Sequence, residues 1–425
     1  MAEIKGFRAL RFTDRAGDIA ALCCPPYDII SEDERRAFLK KNPYNIIRLE
    51  LPKEGADPYR TAGETLRQWL QEGILERDAQ EGIYIYEEEF EIAGEIKRFR
   101  GVISLVHLEE FSKGIVLPHE ETLSKAKADR FHLMDATGCN FSQIYSLYND
   151  DGSVENLLRQ YSACEPEISF TDYAGVVQRL WPVYDPAAIA ALRSLFADKK
   201  LYIADGHHRY ETALNYRNHL REQGIVTEDS HPANDVMMML VDMENTGLVV
   251  LPTHRVVREL PHFSSEDLLE KSRACFDSMP CAGRAEAEQM LEAAYTAGKT
   301  AFVLYAGSEF HLMVLRDTNA MEGFLPDASA AYRGLDVSVL HTLILEQILG
   351  IDKANMAAQI NLTYTRSAQE AVGAVDSKEA DCCFLLNPTK VSEIRDVALA
   401  GEKMPQKSTY FYPKLITGLV MNQFL

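Results

Sequence analysis

No run of about 18 apolar residues occurs anywhere in the chain, and the opening MAEIKGFRALRF lacks the apolar stretch of an export signal. The expectation is a protein without a membrane span, with no membrane partner, located in the cytoplasm. The eight cysteines form no Cys-x-x-Cys pair. Cys23/Cys24, Cys139, Cys164, Cys275, Cys281 and Cys382/Cys383 match none of the usual zinc spacings, so no structural metal is implied. A vicinal pair in a stretch such as ADCCFLLNP reads as buried core thiols. Positive charge is scarce: 44 Lys+Arg against 64 Asp+Glu leave a net charge of −20. A polyanion would meet repulsion unless one face were strongly basic, which argues against nucleic acid as a partner. Repeats, low-complexity tracts and long linkers are absent as well, so domain boundaries are compact.

What is present is globular in kind. A chain of 425 residues, 46% hydrophobic and 25% charged, buries a substantial core and accommodates two or three domains. IYIYEEEFEIAGEIKRFRGVISLVHL alternates around Ala93-Gly94-Glu95 and predicts a β-hairpin. VMMMLVDM, the turn Glu244-Asn245-Thr246-Gly247 and LVVLP predict a second, and AFVLYAGSEFHLMVLR a third. Helical periodicity marks PAAIAALRSLFADKK, ETALNYRNHLREQ, SSEDLLEKSRACF and RAEAEQMLEAAYTAG, with Ser264 and Ser265 as capping candidates. Hairpins and helices interleave without a regular strand-helix-strand beat. That favours an α+β fold of mixed and antiparallel sheets over a doubly wound one. Changes of pattern divide the chain into 1–100, 101–260 and 261–425.

The densest chemistry lies in LYIADGHHRYETALNYRNHL. A β-like run, Leu201 to Ala204, stops at Asp205-Gly206 and passes directly into an amphipathic helix. Such a strand-turn-helix aims backbone N–H groups and the positive end of the helix dipole at one point, and Gly206 lets a ligand approach the backbone. His207, His208 and Arg209 add donors there, Arg as a bidentate phosphate clamp. Asp205 offers a carboxylate for Mg²⁺ or for a hydroxyl proton. The simpler alternative is a helix start capped by Asp205 with surface histidines.

In VLPHEETLSKAKADRFHLMDATG, apolar residues end at Pro118 and release His119, Glu120, Glu121, Thr122, Lys125, Lys127, Asp129 and Arg130 within a few helical turns. Glu120 suits a general base, while His119, Thr122, Lys125 and Arg130 suit contacts to substrate or transferred phosphate. Glu121/Lys125 spacing also fits a solvated helix surface. Elsewhere, CCPPYDIISEDERR reads as a binding loop or a rigid turn before a helix capped by Ser31. Thr253, His254 and Arg255 in LPTHRVVREL form a polar cluster for a carboxylate or phosphate, or an ordinary strand end. His341 in GLDVSVLHTLILEQILGI reads as a satisfied histidine on a buried helix. Lys407, Ser408, Thr409 and Lys414 in MPQKSTYFYPKLITGLVM form either a cationic lid or a packed C-terminal strand.

Taken together, PPYDII, PHEETLSKAKADR, ADGHHRYETAL, LPTHR, LDVSVLH and MPQKSTYFYPK resemble the bacterial family called domain of unknown function 1015, almost end to end. ADGHHRY is also similar to the phosphate-binding box of the ParB/sulfiredoxin-like superfamily, and the order Pro118-His119-Glu120 then Asp205-Gly206-His207-His208-Arg209 resembles its free serine kinase branch. The resemblance implies a ParB/sulfiredoxin-like core within 101–260, carrying an insertion near 150–180. It places Glu120 as the carboxylate that takes the serine hydroxyl proton and the Asp205–Arg209 turn as the phosphate site. The family's association with serine biosynthesis genes implies serine or phosphoserine as the small molecule. His207 stands where sulfiredoxin would carry cysteine, and no helix-turn-helix accompanies the box, which disfavours both a sulfinic-acid reductase and a DNA-clamping protein.

The expectation is therefore a phosphotransferase acting on L-serine or O-phosphoserine. Glu120, Asp205, His207 and His208 are its catalytic candidates, with Mg²⁺ at Asp205 and ATP, ADP or pyrophosphate as phosphate donor or acceptor. Three alternatives stand beside it: a phosphoserine phosphatase at the same site, a non-catalytic sensor of a nucleotide or phosphorylated metabolite, and a metal-dependent hydrolase using Asp205, His207 and His208.

Overall fold

Two compact units divide the chain in a computed structural model that describes residues 2–122 and 124–425. The first comprises Met1–Pro118, Thr122–Val249 and Pro413–Leu425, and the second His119–Glu121 and Val250–Tyr412. Both combine helices with sheets of mixed or antiparallel pairing, the α+β class read from the sequence. Among the described residues no helix is long and apolar enough to cross a membrane.

A nine-stranded sheet organises the first unit. Its strands are β1 (Ile4–Lys5), β2 (Ile83–Ile92), β3 (Glu95–His107), β4 (Val116–Leu117), β5 (Ile144–Tyr148), β6 (Ile168–Thr171), β7 (Val177–Val183), β8 (Leu201–Asp205) and β9 (Asp235–Asp242). The order is β4-β8-β5-β9-β3-β2-β7-β6, with β1 alongside β3. Pairing is parallel at β4/β8 and β5/β9 and antiparallel elsewhere in the sheet. The β2–β3 hairpin turns where the sequence placed it: Ala93 (φ 52°) and Gly94 (φ 78°) both adopt the left-handed conformation that a two-residue hairpin loop requires. Glu87 of β2 lies opposite both Arg100 of β3 and Arg179 of β7 and pairs with them at 2.7 and 3.0 Å. That cross-strand triplet satisfies a carboxylate buried in mid-sheet.

The second predicted hairpin does not form. β9 lies between β3 and β5 instead, because its run Asp235–Val241 is buried at every position and needs a strand on each side. After the turn the chain leaves the sheet, and Leu251 N–H bonds the Tyr410 carbonyl.

Four longer helices of this unit are α1 (Pro58–Gln71), α2 (Ser124–Thr137), α3 (Pro186–Phe196) and α4 (His207–Glu222). Helices α2 and α4 pack together, with Phe131 edge-on to Tyr216 at 5.5 Å. Ser31 caps Glu32–Lys41 through a capping box with Glu34, as its position before three acidic residues implied. Cys23 and Cys24 are buried thiols.

The second unit is built on a six-stranded antiparallel sheet. Strands β10 (His254–Val257), β11 (Phe276–Cys281), β12 (Ala301–Ala306), β13 (Glu309–Leu315), β14 (Leu362–Thr365) and β15 (Cys382–Leu386) follow the order β11-β13-β12-β15-β10-β14. The third predicted hairpin is β12–β13, turning at Gly307 and Ser308, both with positive φ. Ser264 caps α5 (Ser265–Ser272) by accepting the Asp267 N–H. Helices α6 (Arg284–Thr296) and α7 (Ala368–Asp376) contribute Ala287, Leu291 and Ala371 to a core shared with Val303, Leu312, Cys383 and Leu385 of the sheet. The segment MPQKSTYFYPKLITGLVM is not one strand: within it only Phe411–Tyr412 forms a strand, with isolated bridges at Met404, Thr417 and Met421. Its Lys407 belongs to the second unit and its Lys414 to the first.

Gly101 of β3 tests the central register. A Cβ there would stand 2.4 Å from the Leu240 carbonyl oxygen and 2.7 Å from the Val241 Cγ2 of β9, and neither the sheet backbone nor a packed valine yields cheaply. We expect Gly101→Ala to cost about 3 kcal/mol, by the usual scale of overpacking, read as a lower urea midpoint with an unchanged slope.

Candidate functional site

The strand-turn-helix forms as the sequence indicated. β8 buries Leu201, Tyr202, Ile203 and Ala204. Its pairing with β5 slips between Ile203 and Asp205, and such a bulge re-aims the side chain at the strand end. Gly206 follows at φ 93° and brings no capping side chain to α4. A Cβ at Gly206 would stand 2.9 Å from the Arg209 guanidinium, so the position requires glycine for both its backbone angle and its space.

Asp205 is half-buried and held by two cations. Arg209 Nη2 pairs with one carboxylate oxygen at 2.6 Å, and Lys414 Nζ pairs with the other. Burial by itself would raise the Asp205 pKa, but Lys414 and then Arg209 outweigh it and keep the carboxyl ionised far below the usual range. Arg209 also donates to the Gln143 carbonyl on the segment entering β5. His207 is buried at the first helical position and His208 is half-buried beside it. One carboxylate and two cations meet at the start of a sixteen-residue helix. An anion is the ligand this electrostatic arrangement favours.

A magnesium ion does not fit Asp205 as it stands, since both carboxylate oxygens are engaged by cations. Among the described residues no three His, Cys, Asp or Glu side chains are disposed to hold a metal ion.

Arg130, expected near transferred phosphate, is buried in the first unit. Its Nη1 donates to the Glu50 carbonyl at 2.7 Å, its Nε and Nη2 meet Asp129, and its guanidinium lies 4.0 Å from the Tyr27 ring. Glu50 in turn accepts from Ser142 at 3.0 Å, and its pKa is raised by burial against the pull of Arg130 and Arg209. Thr122 Oγ1 and Lys127 Nζ both hold Glu211 of α4, at 2.6 and 2.8 Å. Lys125 is exposed in the first turn of α2.

The second unit gathers another set. His119 is fully buried, and its Nε2 lies 3.0 Å from Thr409 Oγ1, which donates to Glu120 Oε1 at 3.3 Å. Residues 119–120 run beside Met404, whose N–H bonds the His119 carbonyl at 2.7 Å. Arg255 is 1% exposed. It donates to the Thr253 carbonyl, to the Lys407 carbonyl at 3.2 Å and to His341 Nε2 at 3.3 Å. Burial lowers its pKa to about 10. The exposed Lys407 sits at φ 57° with its carbonyl turned to Arg255. His254 Nδ1 accepts the Leu386 N–H at 3.2 Å, and burial, then Arg255, push its pKa down to about 4.

His119, Glu120, Thr253, His254, Arg255 and Lys407 therefore belong to one unit, and Thr122, Lys125, Arg130, Asp205, Gly206, His207, His208 and Arg209 to the other. Sequence reading missed two things: the pairing of Lys414 with Asp205 across 209 residues, and the network of Glu50 with Arg130 and Tyr27. Lys414 had one visible signal, a cation in an otherwise apolar and aromatic stretch. Glu50 had none.

The low His254 pKa carries a pH signature. Its folded value lies below the ordinary 6.5, so between pH 6.5 and 4 the unfolded chain binds more protons and stability falls as pH falls. We expect this histidine to contribute a loss of about 3 kcal/mol across that window. His254→Asn should flatten the acid limb of a melting-temperature profile between pH 7 and 4.

No curated protein matches this chain. Among solved structures, free serine kinase in complex with AMP aligns at a TM-score of 0.36 and 13% identity, over 73% of this chain and 86% of that one. A conserved hypothetical protein from Pyrococcus furiosus aligns at 0.34 and 14% identity, over 73% and 90%. SbnI from Staphylococcus aureus, truncated at its C-terminus, aligns at 0.37 and 12% identity, over 76% and 87%. The family described as protein of unknown function (DUF1015) matches residues 4–338, and the chain belongs to that family.

Proposed function

We propose that the protein is a phosphotransferase acting on the hydroxyl of a small amino acid, L-serine or, in reverse, O-phosphoserine. The observation that carries the reading is the turn at Gly206. A helix begins there without a side-chain cap, next to Lys414, Arg209, His207 and His208, with one carboxylate against two cations. A phosphoryl group bound there accepts from the helix N-terminus and meets positive charge already in place, so little reorganisation accompanies charge development on its equatorial oxygens. Asp205 keeps Arg209 and Lys414 at the turn. The histidines supply a donor or take up a proton there. Glu120 is the proposed proton acceptor for the hydroxyl, a role drawn from the sequence resemblance. The donor or acceptor of phosphate is ATP, ADP or pyrophosphate, and water in that place makes the activity a phosphatase.

Phosphorus NMR of the full chain separates these readings. Phosphoserine is supplied alone and with ADP or phosphate, and serine with ATP or pyrophosphate, each with and without Mg²⁺. We expect a new phosphorus resonance in one mixture. Arg209→Gln and Lys414→Gln should each slow its appearance about a hundredfold or more, and Glu120→Gln by roughly the same factor. Unchanged spectra in every mixture would overturn the transferase reading. If a phosphorylated ligand then still raised the melting temperature of the parent and not of Lys414→Gln, the turn would be the binding site of a sensor.

A further inference from the structure

The second unit carries a partly open cavity of about 130 Å³ whose lining includes His341, Glu346, Lys353, Met356, Lys403 and Met404. It has room for several waters, and hence for a compact organic ligand rather than a single ion. Its most informative wall is the wide helical turn Leu340–Glu346, a π-helix continuing from Asp336–Val339. Such turns are rare and frequently accompany functional sites.

His341, on that turn, is only 6% exposed. Arg255 donates to its Nε2 at 3.3 Å, which assigns the lone pair to Nε2 and the proton to Nδ1. Burial and the Arg255 charge keep the ring neutral. Nδ1 is not among the buried polar atoms left without a partner, so its N–H keeps access to the cavity and the wall presents a donor there. The same cavity is lined by two ammonium groups, Lys353 and Lys403, and by two carboxylates, the exposed Glu121 and the half-buried Glu346. A simple anion would use the cations and leave both carboxylates opposed. A molecule carrying both charges uses all of them.

We propose that this cavity binds a small zwitterion of the amino-acid type, its carboxylate accepting from His341 with Lys353 and Lys403 supplying positive charge, and its ammonium offset by Glu346. This binding requires no step of phosphoryl transfer.

Methionine-methyl NMR of the full chain tests it, because Met356 and Met404 line the cavity. Their resonances are assigned by Met356→Leu and Met404→Leu. Glycine, L-serine, acetate and inorganic phosphate are titrated separately. We expect both methyls to shift saturably with glycine or L-serine, at concentrations roughly tenfold or more below those acetate or phosphate require. Ala357→Phe, which fills the cavity from its exposed rim, should abolish the shifts, and Lys403→Met and His341→Phe should weaken them about tenfold. His341→Phe also removes an acceptor from Arg255, so Ala357→Phe and Lys403→Met carry the test if that variant does not fold. The proposal is overturned by silence of both methyls toward both amino acids, by an equal response to acetate or phosphate, or by shifts that survive Ala357→Phe. Lys414→Gln keeps it distinct from the transferase reading: phosphoryl transfer should fall while the methyl shifts stay as in the parent.

Discussion

The carboxylate of Asp205 is the constraint on which the first unit's candidate site depends. It stands half-buried at the end of a strand whose preceding residues are fully packed, where an unpaired charge would be costly. Arg209 and Lys414 resolve that cost, and in doing so they connect three parts of the chain: the strand end, the first turn of α4 and the segment beginning at Pro413. Arg209 extends the connection to Gln143 on the segment that enters β5. Gly206 is the steric condition for this arrangement, because any side chain there would displace the guanidinium. The structure that pins Asp205 thus also gathers two cations at a helix N-terminus.

The second unit solves a related problem differently. Arg255 is buried deeper than Asp205, yet its hydrogen bonds go to two carbonyls and a neutral histidine rather than to a carboxylate. Burial, with no directly paired carboxylate to offset it, lowers its pKa to about 10. What Arg255 supplies is connection: it joins β10 to the 403–409 loop and to the π-helical turn, setting the tautomer of His341 as it does so. The same loop carries Thr409, which meets both His119 and Glu120. One buried guanidinium therefore orders the surroundings of the candidate carboxylate and of the cavity donor together.

Much of the local structure was legible before any coordinates. Two hairpins announced themselves through turn residues able to adopt positive φ between alternating strands. The caps at Ser31 and Ser264 and the turn at Gly206 were visible as short-range patterns, and the family resemblance was read from six short motifs, of which MPQKSTYFYPK lies beyond the matched residues 4–338. The second hairpin misled because an apolar run followed by a turn and another apolar run looks the same whether the two strands pair or diverge. Which happens is decided by how many sides of the first strand need covering. Asp235–Val241 is buried throughout and takes neighbours from elsewhere in the chain. Arg130 was legible only in part. Spacing placed it on a helix among charges, and only packing against Tyr27 and Glu50 turned it inward, toward the cavity it lines with Arg209.

Two of the three hairpins, the caps, the turn at Gly206 and the clustering of Asp205, Gly206, His207, His208 and Arg209 follow from local sequence, because each of these rests on interactions spanning a handful of residues, and their interleaving carried the α+β class. Only the tertiary structure brings Lys414 to Asp205, commits Arg130 to Glu50 and lets Arg255 fix the proton of His341. Those pairings cross tens to hundreds of positions, and the energy of a buried charge depends on what the sheet order brings against it, which no local pattern encodes.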